Sequence, residues 1–494
     1  MKSSIPVRGT RERHWWIWFA QAGLISVLGG MGIAVSALSL DLGNAVFPAS
    51  ALVSLIVVWS FYSWHLLGRE WFGPYGLFLL SASLFNGGQA MLEVLGLNLD
   101  GVLDGRFSPE LTVKALYLVA LGLGALHLGA IWAVGNAPAH GRFRMHPPAE
   151  ERSHASRFVG WLCILMAALP TAVVLGDVLS TTLSERYIRQ YDRPVHAFLP
   201  AAIQILAALL IPGVMFLAAG SPKRRFVLMG LWSILIAYSG SMILSGIRRE
   251  GAPLLISFAW LYHTRIRRLP RTALLSAGVA FLALFSIVVV TRQSQGPWLD
   301  SIGQARGTSV AVDSPVLAAI AEMGATLIAV VHTIDLIPSA RPFDYGIGYA
   351  YTLLTVMPNV GWDRHPAAAH GSYSDWLIHT VDPATAFRGG GLGYSFIAEP
   401  FANFGWYGVV PLLALTGYLL VRMSDWATLT NDPARYAAVA SFMAFFLFFP
   451  RAETAIMIRP LVYYSLLPYA VVGILAKKLA RSRSSSARKY HICR

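Results

Sequence analysis

Twelve apolar stretches, most of them near twenty residues long, run through this chain of 494 residues, and they dictate the class of fold. A segment of about 20 mainly apolar residues satisfies its own backbone hydrogen bonds as a helix and spans the hydrocarbon core of a bilayer. The chain is 55% hydrophobic and only 13% charged, where soluble domains carry about 25% charge. The reading is an all-α polytopic membrane protein with about twelve transmembrane helices.

Charge between the spans fixes their direction. With the N-terminus inside, 25 of the 39 Lys and Arg residues fall on inside loops and tails, as the positive-inside rule requires. The remaining 14 fall outside or at outer span ends, and 13 of them are arginine. Arginine offers a planar, permanently charged fork of donors, so a surplus on the outer side points to an anionic ligand there. The net charge of +14 is accounted for mainly by inside loops and the basic tail in contact with anionic membrane lipids, so nucleic acid is not an expected partner.

These rules give an organisation: a cytoplasmic N-terminal tail (1–16), nine transmembrane helices (17–291), a large outer loop domain (292–403), three further helices (404–476) and a basic cytoplasmic tail (477–494). The stretch 315–337 is almost apolar enough to span. It carries Glu322, His332 and Asp335, each costly in lipid, and a span there would place the basic tail outside. It is therefore read as part of the outer loop, in amphipathic helices resting near the membrane. Cys163 and Cys493 share no plausible loop, so neither a disulfide nor a metal site is expected. Asp100 and Asp104 form a weak pair, and Asp41 has no acidic partner. No cofactor motif is present: the chain has no phosphate-binding glycine loop, no nucleophile elbow and no zinc spacing.

The most informative segment is FRGGGLGYSFIAEPFANFG, residues 387–405. Gly389, Gly390 and Gly391 follow Arg388 and allow backbone to approach a ligand closely. A helix is expected from about Ser395, with Glu399 one turn into it. An ionisable group in that setting is either functional or paired with an arginine for structure. Further arginines at outer span connections are Arg248, Arg249, Arg292, Arg451 and Arg459, against a background in which any single one is a lipid anchor. Arg186, Arg189 and Arg193 recur on one helical face and read as solvated.

The run G-G-L-G-Y-S-F-I-A-E at 390–399, followed by N-F-G at 403–405, resembles the O-antigen polymerase family of Wzy type. The SGIRREG turn at 245–251, AEMG at 321–324 and YGIGYAYTLLTVMPN at 345–359 are similar to further segments of that family. The resemblance implies an inner-membrane enzyme with a glycosyltransferase C-like helical fold. Such an enzyme joins glycan repeat units carried on undecaprenyl pyrophosphate, on the periplasmic face, without a metal. A chain-length regulator is a further partner it allows. In that chemistry an acceptor hydroxyl needs a base, for which Glu399 is the first candidate and His379 the second, with His332 third. Arg388 and the other outer arginines, with the three glycines, would hold the pyrophosphate. Trp362, Tyr373, Trp376 and Tyr394 would stack on sugar rings, or anchor the loop at the interface. The alternatives are an O-antigen ligase, which shares the donor, and a lipid-linked oligosaccharide flippase. A transporter would call for broken helices in related halves, and neither is legible.

Overall fold

In a computed structural model the described residues are 8–37, 45–98, 102–103, 105–136, 150–184, 201–280, 315–359 and 361–492. All described elements are helical, and the chain divides into two compact units. The first unit comprises residues 1–140, 316–425 and 447–458. The second comprises residues 141–315, 426–446 and 459–494.

The first unit opens with α1 (Arg8–Ala37), α2 (Val46–Leu66), α3 (Pro74–Val94) and α4 (Pro109–Gly135). Local chemistry sets these starts. Pro74 and Pro109 occupy first-turn positions where no N–H is needed, and Ser108 Oγ accepts from Leu111 N at 3.3 Å. Helix α4 is the central element: its Leu118–His127 stretch is buried throughout, and it packs on both α1 and α2. The second unit continues with α5 (Glu150–Ser184), α6 (Ala201–Ala207), α7 (Leu210–Gly220), α8 (Arg225–Leu244) and α9 (Arg248–Leu261), where α5 lies along α6 and α7 and α9 along α8.

The chain then supplies α10 (Pro315–Gly324), α11 (Leu327–Leu336), α12 (Ile347–Leu354), α13 (Pro366–His370), α14 (Tyr373–Val381), α15 (Pro383–Phe387), α16 (Ala398–Phe404) and α17 (Trp406–Thr428). Helices α18 (Pro433–Phe446), α19 (Ala455–Pro460) and α20 (Leu467–Ile492) complete it, with a single 3₁₀ turn at Phe449–Arg451 between α18 and α19.

Among the described residues nine helical stretches are long and apolar enough to cross a membrane. The first and third expected spans are present as α1 and α3, outside those nine. Helix α3 carries polar residues that bond other segments: Asn86 donates to the carbonyl of Pro450 and Gln89 to that of Ala321. The eighth expected span is a 14-residue helix followed by a π turn, Tyr262–Ile266. Most of the ninth, with Arg292, lies outside the described residues. So do Asp41, Asp100, Asp104, Arg186, Arg189, Arg193 and Cys493. Helices also run into both expected tails, starting at Arg8 and ending at Ile492.

One difference concerns 315–337. Residues Val316–Leu336 are one of the nine span-like stretches, and α11 packs on α3, α4, α14 and α16 rather than lying as a surface amphipath. Of the polar residues that counted against a span, the half-buried His332 meets the Phe107 ring edge-on at 5.0 Å, and Asp335 is exposed; the backbone carbonyl of Glu322 accepts from Arg451.

Apolar helices gain no hydrophobic drive against each other in lipid, so close backbone packing at small residues holds them together. The crossing of α4 and α17 shows this. A Cβ on Gly129 would lie 1.7 Å from the Ala414 carbonyl oxygen, and one on Gly417 1.9 Å from that of Leu126. At the ends expected to be inside, Arg69 pairs with Asp425 at 2.7 Å, and His14 fills the space above Gly135.

Candidate functional site

The site lies wholly within the first unit. It is a cavity of about 310 Å³ lined by residues of the 341–375 stretch together with Glu399, Glu453 and Ala455. That volume is at the lower end of ordinary ligand pockets.

Glu399 sits in the first turn of α16 and is 2% exposed. The helix is positioned from both ends. Ser395 Oγ donates to Asn86 Oδ1 at 2.7 Å and accepts from Ile397 N at 3.1 Å. At the other end Asn403 accepts from Gly346 N through its side chain and from Tyr345 N through its carbonyl. Glu399 is thus held between α3 and the loop leading to α12. Its Oε2 accepts two hydrogen bonds from Thr454, from the backbone N–H at 2.8 Å and from the hydroxyl at 2.6 Å. Burial, and next the Glu453 carboxylate, raise its pKa to about 8, against the hydrogen bonds from Thr454 that favour the charged form.

Glu453 caps the opposite wall. Its Oε2 accepts from Tyr373 N at 2.9 Å and its Oε1 from Ser374 N at 3.5 Å, at the start of α14. Ser372 Oγ accepts from Asp375 N at 3.0 Å, so this helix start is doubly capped. Burial raises the Glu453 pKa, opposed by those amide bonds.

Tyr373 connects the cap to a charged cluster. Its hydroxyl donates to Asp344 Oδ2 at 2.5 Å, and its ring stacks on Tyr394 at 5.3 Å and 10°. Arg341 Nη2 donates to the same Asp344 carboxylate at 3.0 and 3.3 Å. The guanidinium lies 4.7 Å from the centre of the Tyr373 ring and 5.0 Å from that of Trp376. His370 stacks on Tyr351 at 4.3 Å, with Nε2 3.8 Å from Asp344 Oδ2. Gly348 makes the packing possible, since a Cβ there would come 3.2 Å from the Tyr373 hydroxyl. Arg341 is charge-paired and pressed on two rings. Exposed Arg364 lines the same cavity as a second cation. The arrangement sets a buried carboxyl, two guanidinium groups, an imidazole and aromatic rings around a small space. It can accept a proton at Glu399 and hold negative charge near Arg341 and Arg364.

The sequence candidates are distributed unevenly. Glu399 and Tyr373 line the cavity, and Trp376 supports Arg341. Tyr394 is fully buried behind Tyr373, its hydroxyl accepting from Thr333 Oγ1 at 3.2 Å. Trp362 is exposed and meets His365 edge-on. His379 is exposed at the last turn of α14, its Nδ1 donating to the Asp375 carbonyl at 2.7 Å. Arg388 is exposed and donates from Nε to the Ala384 carbonyl at 3.3 Å. Gly390 packs on Thr385, and Gly389 takes a left-handed φ of 78°. Arg451 lies against Gly393, where a Cβ would be 3.2 Å from its Nε, and Nη1 donates to the Glu322 carbonyl. Arg388, Gly389, Gly390, Gly391, His379 and Arg451 are not among the cavity-lining residues.

Arg248, Arg249 and Arg459 belong to the second unit. There Arg248 is buried in the first turn of α9, Arg249 is exposed and Arg459 lies 5.9 Å from the Tyr463 ring. The helix expected from Ser395 begins at Ala398, because Ser395 Oγ closes a turn on Ile397 N instead. Glu399 is paired with Thr454 and not with an arginine.

Sequence reasoning missed Arg341, Asp344, Arg364, His370, Glu453 and Thr454. Two signals were available. Arg341 and Arg364 are among the outer-side arginines counted above, and Glu453 lies two residues from Arg451 in a connector between apolar runs.

No curated protein and no solved structure matches this chain. A sequence model of one family, the O-antigen polysaccharide polymerase Wzy, matches residues 19–482. With nearly its whole length covered by that match, and with a helical fold rich in span-like segments, the chain belongs to the O-antigen polysaccharide polymerase Wzy family.

Proposed function

We propose that this protein polymerises oligosaccharide repeat units carried on undecaprenyl pyrophosphate, at the periplasmic face of the inner membrane, with the cavity beside Glu399 as its active site. The observation that carries the reading is the meeting of one buried, proton-holding carboxyl with two arginines in a space the size of one or two sugar rings. The 25 Lys and Arg residues on inside loops and tails support the polarity, and the 13 outer-side arginines and the family membership support the substrate class.

The acceptor's sugar hydroxyl enters the cavity and meets the ionised fraction of Glu399. Its oxygen attacks the anomeric carbon of the donor as Glu399 takes the proton. The bond from that carbon to the pyrophosphate oxygen breaks, and its electron pair leaves with the lipid pyrophosphate. Arg341 and Arg364 offset the charge that develops on the leaving group, which is how the reaction proceeds without a metal. A base with a pKa near the working pH is well matched to this step. The polar rim, with His370 and Tyr351, orients the ring.

The test is a gel of surface polysaccharide from a deletion strain carrying either the wild-type gene or Glu399→Gln. A ladder restored by wild type, and one-repeat bands only with Glu399→Gln, support the reading. Loss of every capped band on deletion would assign the chain to ligation or flipping, and a full ladder from Glu399→Gln would remove Glu399 as the base.

A further inference from the structure

Residues 452–454 are a short connector between the 3₁₀ turn at Phe449–Arg451 and α19. Two consecutive residues of it grip opposite walls of the cavity. Glu453 holds the amides of Tyr373 and Ser374, and Thr454 holds Glu399 through two hydrogen bonds on one oxygen. The Arg451 carbonyl, just upstream, accepts from Tyr394 N at 3.4 Å, in the segment that leads into α16. Both Glu453 and Glu399 are buried, so neither grip is exchanged for water at low cost.

We infer that Glu453 and Thr454 are positioning residues of the reaction proposed above, forming one strut that sets the distance and orientation between Glu399 and the Tyr373–Arg341 wall. Adjacent residues cannot move independently, so a displacement of α14 is carried to the Glu399 carboxyl. The groups that bear on Glu399 are few. Glu453 and Thr454 reach it from the connector, Tyr349 from α12 and Tyr394 from the segment before α16. Around the cavity stand Arg341, Arg364, His370 and Asp375. Helix α11 contributes Thr333, bonded to Tyr394.

The two halves of the strut act on Glu399 in opposite senses, and this gives a readout that a merely structural role would not produce. Thr454 stabilises the charged carboxylate by hydrogen bonding, and Glu453 destabilises it by like charge. The full-length protein in lipid nanodiscs is titrated by infrared difference spectroscopy. The Glu399 carboxylic C=O band is identified by its loss in Glu399→Gln. Thr454→Val should move the titration to higher pH and Glu453→Gln to lower pH, while Thr454→Ser, which keeps the hydroxyl, should titrate as wild type. Polymer formation should fall at least tenfold in Thr454→Val and Glu453→Gln, in line with the cost of loosening a base, and recover in Thr454→Ser. An unmoved band in both variants, or Thr454→Ser behaving like Thr454→Val, overturns the inference. Full polymer from Glu399→Gln would instead overturn the assignment of the base, and the strut would lose its catalytic purpose although the band shifts would still reveal it.

Discussion

Tyr373 donates its hydroxyl hydrogen to Asp344 at 2.5 Å, the carboxylate that also receives Arg341. Arg341 in turn covers the face of Tyr373. The three side chains form a closed set in which each fixes the other two. Burial, followed by the Asp344 partner, keeps the phenol protonated at any working pH. Tyr373 is therefore a hydrogen-bond donor and a packing surface, not a base.

Tyr373→Phe keeps the stack on Tyr394 and removes only the bond to Asp344. The expected loss is about 2 kcal/mol of stability, the net value of a hydrogen bond to a charged group. Thermal unfolding in detergent checks it. Tyr373→Ala also removes the stack and the surface under Arg341, and it should cost more, about 3 kcal/mol or above.

Arg341→Lys keeps the charge and loses the planar fork that lies on two rings and pairs with Asp344. Polymer yield should fall at least tenfold in both Arg341→Lys and Arg341→Ala, because a point charge does not replace a planar group stacked on two rings. The length distribution of the polysaccharide on a gel is the measurement, and a wild-type ladder from Arg341→Lys would show that charge alone suffices.

Glu399→Gln should lower the rate about 100-fold or more, the usual contribution of a positioned base. In wild type the rate should climb as pH rises through about 8, where the carboxyl ionises. The climb should be absent from the residual activity of the variant.

Stability should run the other way with pH. The folded pKa of Glu399 lies above its ordinary value of 4.5, at about 8, so the folded state holds a proton that the unfolded chain releases between those values. The stabilisation is full below the lower value and is lost as pH rises through the upper one. Glu453, also raised, adds in the same sense. Melting temperature should therefore drop across this window in wild type and drop less in Glu399→Gln.

Gly129→Ala should prevent stable folding. The added methyl would lie 1.7 Å from a carbonyl oxygen, a clash that only backbone separation relieves. Gly230→Ala, with nothing within 4 Å of the new atom, is the matched control and should be neutral. Yield of monodisperse protein in detergent separates the two.

Much of the architecture was legible because hydropathy and charge act over whole segments. The segment at 387–405 was legible because Glu399 stands out in an apolar run. What could not be read were meetings of distant residues. Glu453 and Tyr373 lie eighty residues apart in the chain and are joined only after the chain breaks its helix past Arg451. Arg341 looked like any loop arginine, and nothing in its neighbours foretells Trp376. The stretch 315–337 was placed in the outer loop because its polar residues were costed as if facing lipid. In the structure most of α11 is packed against α3, α4, α14 and α16, which lifts that cost from His332, while Asp335 stays exposed.

The crossing of α4 and α17 has a consequence for how such a chain drifts over generations. Leu415 and Leu419, each more than half exposed on α17, can trade places with other apolar residues freely. Gly129 and Gly417 on the same crossing have no permissible neighbour in sequence space, since even alanine is too large. Relatives that have lost every other recognisable letter should still carry hydrogen in place of a side chain at these two points.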